Sequence, residues 1–256
     1  MYSRLHIEPV GGIAGDMLLA ALLDFGVDAE TVRSAFARFD EPGLKLTVDS
    51  VHVGTIDATY VRSLVGTPQF RRAARTSLVK KTREHAHHLL TEVYGVIERA
   101  GLSAAAEGRA KAIFEILATA EAEVHGGLPD TVGMHEVAEL DSIMDVVGVA
   151  VALDVLGNPQ ITCGVLPSGR GTVQTSHGEL TCPVPAVRAV ADRFSIPFEA
   201  IDVVGETITP TGAAVVAQLT TTFVRDVPVG ASNVGVGAGT KRFPTRPNIV
   251  RVYGWS

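Results

Sequence analysis

Residues 5–27 read "LHIEPVGGIAGDMLLAALLDFGV", and the order of textures in them decides the fold class. The first six residues alternate enough to form a strand. The glycines Gly11, Gly12 and Gly15 then turn the chain, and an apolar run of helical period follows until Gly26 ends it. Strand, glycine turn and helix in immediate succession open an α/β fold. The expectation is a mixed sheet with packed helices and a central buried helix.

Working outward, Asp28 is placed to cap a second helix over about 29–39, before "EPG" breaks it. Residues 43–65 alternate at period two around Gly54, as a hairpin or two neighbouring strands do. From "RRAARTSLVKKTREHAHHLL" through "AEVHG" the chain is polar, alanine-rich and helical in period. Two or three helices are expected there, with a break at Gly101 and a cap at Ser103. This stretch, about 70–127, is a candidate helical subdomain within one domain spanning 1–256.

"IMDVVGVAVALDVLG" is apolar almost all round and predicts the central helix over about 141–156. Beyond it, "ITCGVLPSGRGTVQTSHGEL" reads as a glycine-broken pair of extended pieces. "PVPAVRAVADRF" and "TPTGAAVVAQL" read as helices, while "SNVGVGAGTKRF" and "NIVRVYG" read as closing strands.

Composition narrows the function classes. The formal charge is 22 − 28 = −6, which lacks the footprint of a nucleic-acid or anionic-membrane binder. Aromatics are 5% against 46% hydrophobic residues, so Ala, Val, Leu and Ile must build the core. No apolar run approaches the roughly 18 residues of a membrane span, and "MYSRLHIEPV" lacks the apolar segment of a secretory signal, so a cytoplasmic protein is expected. Cys163 and Cys182 have no neighbouring cysteine and read as buried small hydrophobes.

Candidate site residues lie mostly where loops meet helices. The turn at Gly12 and Gly15 presents backbone N–H groups at a helix start, suited to an anion, and Asp16 follows in the first turn as acid/base group or dipole complement. In "MHEVAELDSIMDVVG", residues 134–148, a histidine and several acids crowd the start of the most apolar helix. If the helix starts before that cluster, His135, Glu139 and Ser142 share one side. If Asp141 caps it, His135 and Glu136 sit in the loop delivering it. Either way an imidazole and a carboxylate arrive where desolvation sharpens acid/base or ligand chemistry.

His85 and His88 in "REHAHHLL" are i, i+3 neighbours that can share one metal ion or form a solvated face. His177 lies between extended pieces, with Gly169 and Arg170 just before it. Gly235, Gly237 and Gly239 precede "TKRFPTRPN", which cannot start a helix and so is no dinucleotide fingerprint. Lys241, Arg242 and Arg246 there suit either a phosphate or carboxylate cradle or a solvated hairpin. Thr209 and Thr211 can offer hydroxyls to a substrate or cap the next helix. The loops at 9–16, 168–178, 207–212 and 235–246 are expected to converge at the mouth of the central helix.

Five ordered segments carry a resemblance. "HIEPVGGIAGDMLLAALLDFGV", "MHEVAELDSIMDVVGVAVALDVLG", "GRGTVQTSHGELTCPVPA", "TITPTGAAVV" and "GVGAGTKRFPTRPNIVRV" resemble the N-terminal part of the LarC family, the nickel-insertion proteins of nickel-pincer cofactor synthesis. The resemblance implies a lyase-type metal chelatase that places nickel in a pyridinium bis-thiocarboxylate mononucleotide, a reaction tied to CTP hydrolysis. It makes His135 and Glu136 candidate ligands or bases, with Asp16 and His177 beside them as acid/base groups. Gly12, Gly15, Gly169, Arg170, Thr209, Thr211, Lys241 and Arg246 become candidate contacts to a small anionic substrate.

The chain departs from the family at three places. It reads "GMHEVA" where the pattern is HxHEVG, so Gly133 replaces a histidine and Ala138 a glycine. The histidine run is short, and the sequence ends at "VRVYGWS" before the family's nucleotide-binding domain. CTP use is therefore expected to need a partner chain carrying that domain, and a homo-oligomer is the other expected assembly. The alternative reading is a metal-free acid/base enzyme, an isomerase, lyase or cyclase, on a small biosynthetic substrate. A non-catalytic carrier is the third.

Overall fold

A computed structural model describes residues 2–39, 43–65, 89–134, 136–175 and 178–256. His85, His88, His135 and His177 lie outside the described residues, as does the side chain of Glu136.

Strand β1 (Arg4–Pro9) leads through the glycine turn into α1 (Gly15–Asp24). Asp28 caps α2 (Ala29–Phe36), its carboxylate accepting from the Glu30 N–H at 3.0 Å. Strands β2 (Leu44–Val53) and β3 (Ile56–Val65) form the antiparallel hairpin, turning at Gly54. Helix α3 (Leu90–Arg99) breaks at Gly101, and Ser103 caps α4 (Ala104–His125) by accepting from the Ala106 N–H at 3.1 Å. The central helix is α5 (Leu140–Val155). The rest runs β4 (Gln160–Cys163), β5 (Leu166–Arg170), β6 (Thr172–Thr175), β7 (Gly178–Thr181), α6 (Pro185–Phe194), β8 (Phe198–Val204), α7 (Pro210–Leu219), β9 (Thr220–Phe223), β10 (Asn233–Ala238) and β11 (Ile249–Trp255).

Seven strands join in the order β2-β3-β10-β11-β1-β4-β9. The β1/β4, β4/β9 and β3/β10 pairs are parallel and the other three antiparallel, so the sheet is mixed as expected. Strands β5 and β8 form a separate parallel pair, and β6 and β7 a separate hairpin.

Strand alternation sorts the two faces of the sheet. Leu5, Ile7, Val250 and Val252 point into the main core shared with the helices. His6 and Glu8 point the other way, against Tyr253 and Arg251, beside a smaller apolar cluster of Val53, Ala58, Ala238 and Ile249. Helix α5 is buried continuously from Val146 to Leu153, as its nearly unbroken apolar sequence requires. Both cysteines are free and buried. Among the described residues no helix is long and apolar enough to cross a membrane.

The glycine run before Lys241 has a packing role. A Cβ on Gly235 would stand 2.2 Å from the Ala21 carbonyl oxygen, and one on Gly237 would stand 2.0 Å from that of Met17. Helix α1 therefore lies directly on β10, at a distance no side chain permits. Asp24, the last residue of α1, locks the contact by accepting from the Thr59 hydroxyl and the Val236 N–H, each at 2.7 Å.

Two local readings differ from expectation. Residues 160–181 form four short strands rather than two extended pieces: Gly164 and Gly171 separate the first three, and β7 pairs back on β6. Strands β8 and β9 had no clear sequence signal. In β8 only Ile201 and Val203 are buried, and β9, "TTTF", starts where α7 stops with no turn residue between.

Candidate functional site

The glycine turn after β1 is threaded between two other segments. Ile13 pairs with Ile208, its N–H donating to the Thr207 carbonyl at 2.8 Å while its own carbonyl accepts from the Thr209 N–H at 3.1 Å. A Cβ on Gly12 would stand 2.1 Å from the Thr207 oxygen, and one on Gly15 would stand 2.8 Å from Cβ of Asp145. The turn is thus glycine-rich because other main chain and the side of α5 press against it.

That junction brings the start of α1 against α5 and α7. Asp16 lies in the first turn of α1, its Oδ1 accepting from the Met17 N–H at 2.8 Å. Burial raises its pKa to about 6; the Met17 N–H opposes the rise and the charge of Asp141 adds to it. Asp145 comes from the second turn of α5. Burial again dominates, and the charges of Asp16 and Asp141 add, raising its pKa well above the ordinary carboxylate range against a counteracting Asp16 N–H. Both residues are half-buried overall, with their carboxyls set deep enough in the packed junction for burial to dominate both shifts.

Helix α5 begins with Glu139 at its N-cap, after a 3-10 turn over Glu136–Ala138. The expected Asp141 cap is corrected: the cap is Glu139, Asp141 lies in the first turn of α5, and Glu136 opens the 3-10 turn before it, because the chain is already turning helically two residues earlier. Among the described residues no group of three or more His, Cys, Asp or Glu side chains is arranged to hold a metal ion.

The remaining candidates divide. Thr209 caps α7, its Oγ1 accepting from the Gly212 N–H at 3.0 Å, and Thr211 is buried beside Gly15. Gly169 donates its N–H to the Thr207 hydroxyl at 2.8 Å, which itself donates to the Pro167 carbonyl at 2.7 Å. Arg170 pairs with Asp202 at 2.7 Å and Lys241 with Glu206 at 3.2 Å. Arg246 donates to the Val10 carbonyl at 3.0 Å, and Gly11 packs on Pro247, so the 239–248 loop reaches the glycine turn from its other side. Gly12, Gly15, Asp16, Thr209 and Thr211 are therefore brought together, whereas Arg170 and Lys241 are engaged in ion pairs of their own.

Two residues of this junction were given no site role from the sequence. Asp145 belonged to the polar cluster noted at 134–148. Thr207 had none, since its buried hydroxyl matters only because β5 and the glycine turn both reach it.

The nickel insertion protein family matches residues 5–254 of the chain. The chain belongs to that family. A relative from Acaryochloris marina named for nickel insertion is 39% identical over 255 residues, which cover 99% of this chain and 60% of the relative. Another so named, from Myxococcus xanthus, is 38% identical over 250 residues, covering 96% of this chain and 59% of its own length. This nickel insertion family member thus spans about three fifths of the length of these relatives. No solved structure matches it.

Proposed function

We propose that this chain takes up nickel at the junction of α1, α5 and α7 and passes it to a small anionic organic acceptor. The observation that carries the reading, beside family membership, is the electrostatic coupling of Asp16 to Asp145 in a tightly packed helix junction. Two carboxyls that resist ionisation side by side are relieved by a divalent cation, and uptake of the cation releases their proton. Carboxylate oxygens suit nickel less well than sulfur or imidazole, so a donor set of this kind favours release to a thiocarboxylate acceptor.

In this reading the acceptor is the pyridinium bis-thiocarboxylate mononucleotide implied by the resemblance, and the chain is a lyase-type chelatase. The resemblance offers His135 and Glu136, which precede α5 in the sequence, as further donors. Calorimetric titration with nickel at about pH 7.5 tests this. Stoichiometric uptake is expected, weakened at least about tenfold in Asp16→Asn and in Asp145→Asn. No stoichiometric uptake, or uptake indifferent to both changes, would sink it.

One observation favours the metal-free alternative. A carboxyl titrating at about 6 suits general acid–base work near neutrality. If that reading holds, nickel is not bound, while Asp16→Asn abolishes turnover of a small substrate without loss of folding.

A further inference from the structure

A crevice of about 290 Å³ opens at the carboxyl ends of the parallel strands β1 and β4, close to where β9 ends. Such ends are where open α/β sheets receive small molecules, because the chain leaves the sheet there and exposes the space between departing segments. Neither Asp16 nor Asp145 lines it, and its volume sits at the bottom of the roughly 300–1,000 Å³ range of small-molecule sites.

Its charges are unevenly committed. Glu8 is neutralised in place, accepting from Arg251 Nη1 at 3.1 Å and from the Tyr253 hydroxyl at 3.0 Å. His6, at the floor, is bound to the Thr162 hydroxyl at 3.0 Å, and burial lowers its pKa, so it adds no charge near neutrality. Arg246 spends one donor on the Val10 carbonyl and keeps the others. Arg225 is exposed and makes no hydrogen bond or ion pair among the described residues. Against these two guanidinium groups stands only the exposed carboxylate of Glu199, leaving an excess of one positive charge. Guanidinium forks match the oxygen spacing of carboxylate and phosphate groups.

We propose that this crevice binds the single oxyanion group of a small molecule, Arg225 and Arg246 clamping the anion while Pro9, Val10, Val165 and Val227 enclose its apolar body. The site is independent of the nickel reading, since its lining shares no residue with the aspartate junction. An opposing Glu199 disfavours highly charged ligands, which sets a single phosphate or carboxylate group apart from a triphosphate chain.

Titration of the whole chain, without metal, with phenyl phosphate and separately with benzoate tests the proposal. One saturable site per chain is expected for at least one probe, weakened by about tenfold or more in Arg225→Ala and less in Arg225→Lys, which keeps the charge but not the fork. Arg225 makes no internal bond among the described residues, so its replacement is expected to leave folding intact, checked by circular dichroism. Binding of phenyl phosphate alone assigns a phosphate ligand, and of benzoate alone a carboxylate. Absence of saturable binding for both probes, or binding that Arg225→Ala leaves unchanged, overturns the proposal.

Discussion

At the scale of single residues, Asp16 and Asp145 are held against their own preference. An ordinary aspartate titrates near 3.9 in an unfolded chain, about two units below Asp16 in the folded one. Between those values the native state holds the proton more tightly. The contribution of Asp16 to stability is therefore greatest below about pH 4, falls as pH rises towards 6, and is level above it. Asp16→Asn is expected to stabilise the protein by roughly 1–3 kcal/mol at about pH 8 and hardly at all at about pH 4. Melting curves at the two pH values check this, and an equal gain at both would contradict it. Gly15→Ala works in the opposite direction, because its Cβ meets that of Asp145 at 2.8 Å; a loss of about 1–3 kcal/mol in urea titration is expected. The glycines and Asp16 were legible in the sequence as a polar, glycine-rich helix start. That the partner of Asp16 is Asp145, in the second turn of a different helix, was not, since the two are brought together only when α1 and α5 pack.

At the scale of elements, α1 is the piece that organises the molecule. It follows β1, rests on β10 through Gly235 and Gly237, and ties β3 to β10 through Asp24. Its 10 residues read from the sequence as an amphipathic helix, but 8 of them are buried, because sheet and helices enclose it from several sides. Gly237→Ala is expected to cost about 3 kcal/mol or more, since the obstacle is backbone, 2.0 Å away, and cannot swing aside. Gly108→Ala in α4 is the matched control. Nothing lies within 4 Å of its Cβ, and a gain of about 0.5–1 kcal/mol is expected from helix propensity. Paired urea titrations settle both signs. The motif "GVGAG" suggested a ligand cradle in sequence, and its packing role emerges only from the close approach of helix and strand.

At the scale of the whole molecule, a ligand that binds only the folded state adds to its stability by mass action. Nickel at about 100 times its dissociation constant would contribute about 2.7 kcal/mol, a rise of roughly 5–10 °C in melting temperature for a chain of this size. The rise is expected near pH 8 and largely lost near pH 5, where the carboxyl titrating at about 6 holds its proton in competition with the metal. Differential scanning calorimetry with and without nickel at both pH values measures it. An equal shift at both would place the metal elsewhere.

What the sequence determined by itself is local. Hydrophobic period set the helices and most strands, β8 and β9 excepted, Asp28, Ser103 and Thr209 set caps, and glycine positions set turns, because each depends on neighbours a few residues away. The family was also legible, carried by five ordered motifs that span the chain. Only the tertiary structure decided which glycines yield to backbone, which basic residues are already paired, and which carboxyls meet. Those outcomes depend on distances between segments remote in sequence, and such distances exist only once the helices have closed over the sheet.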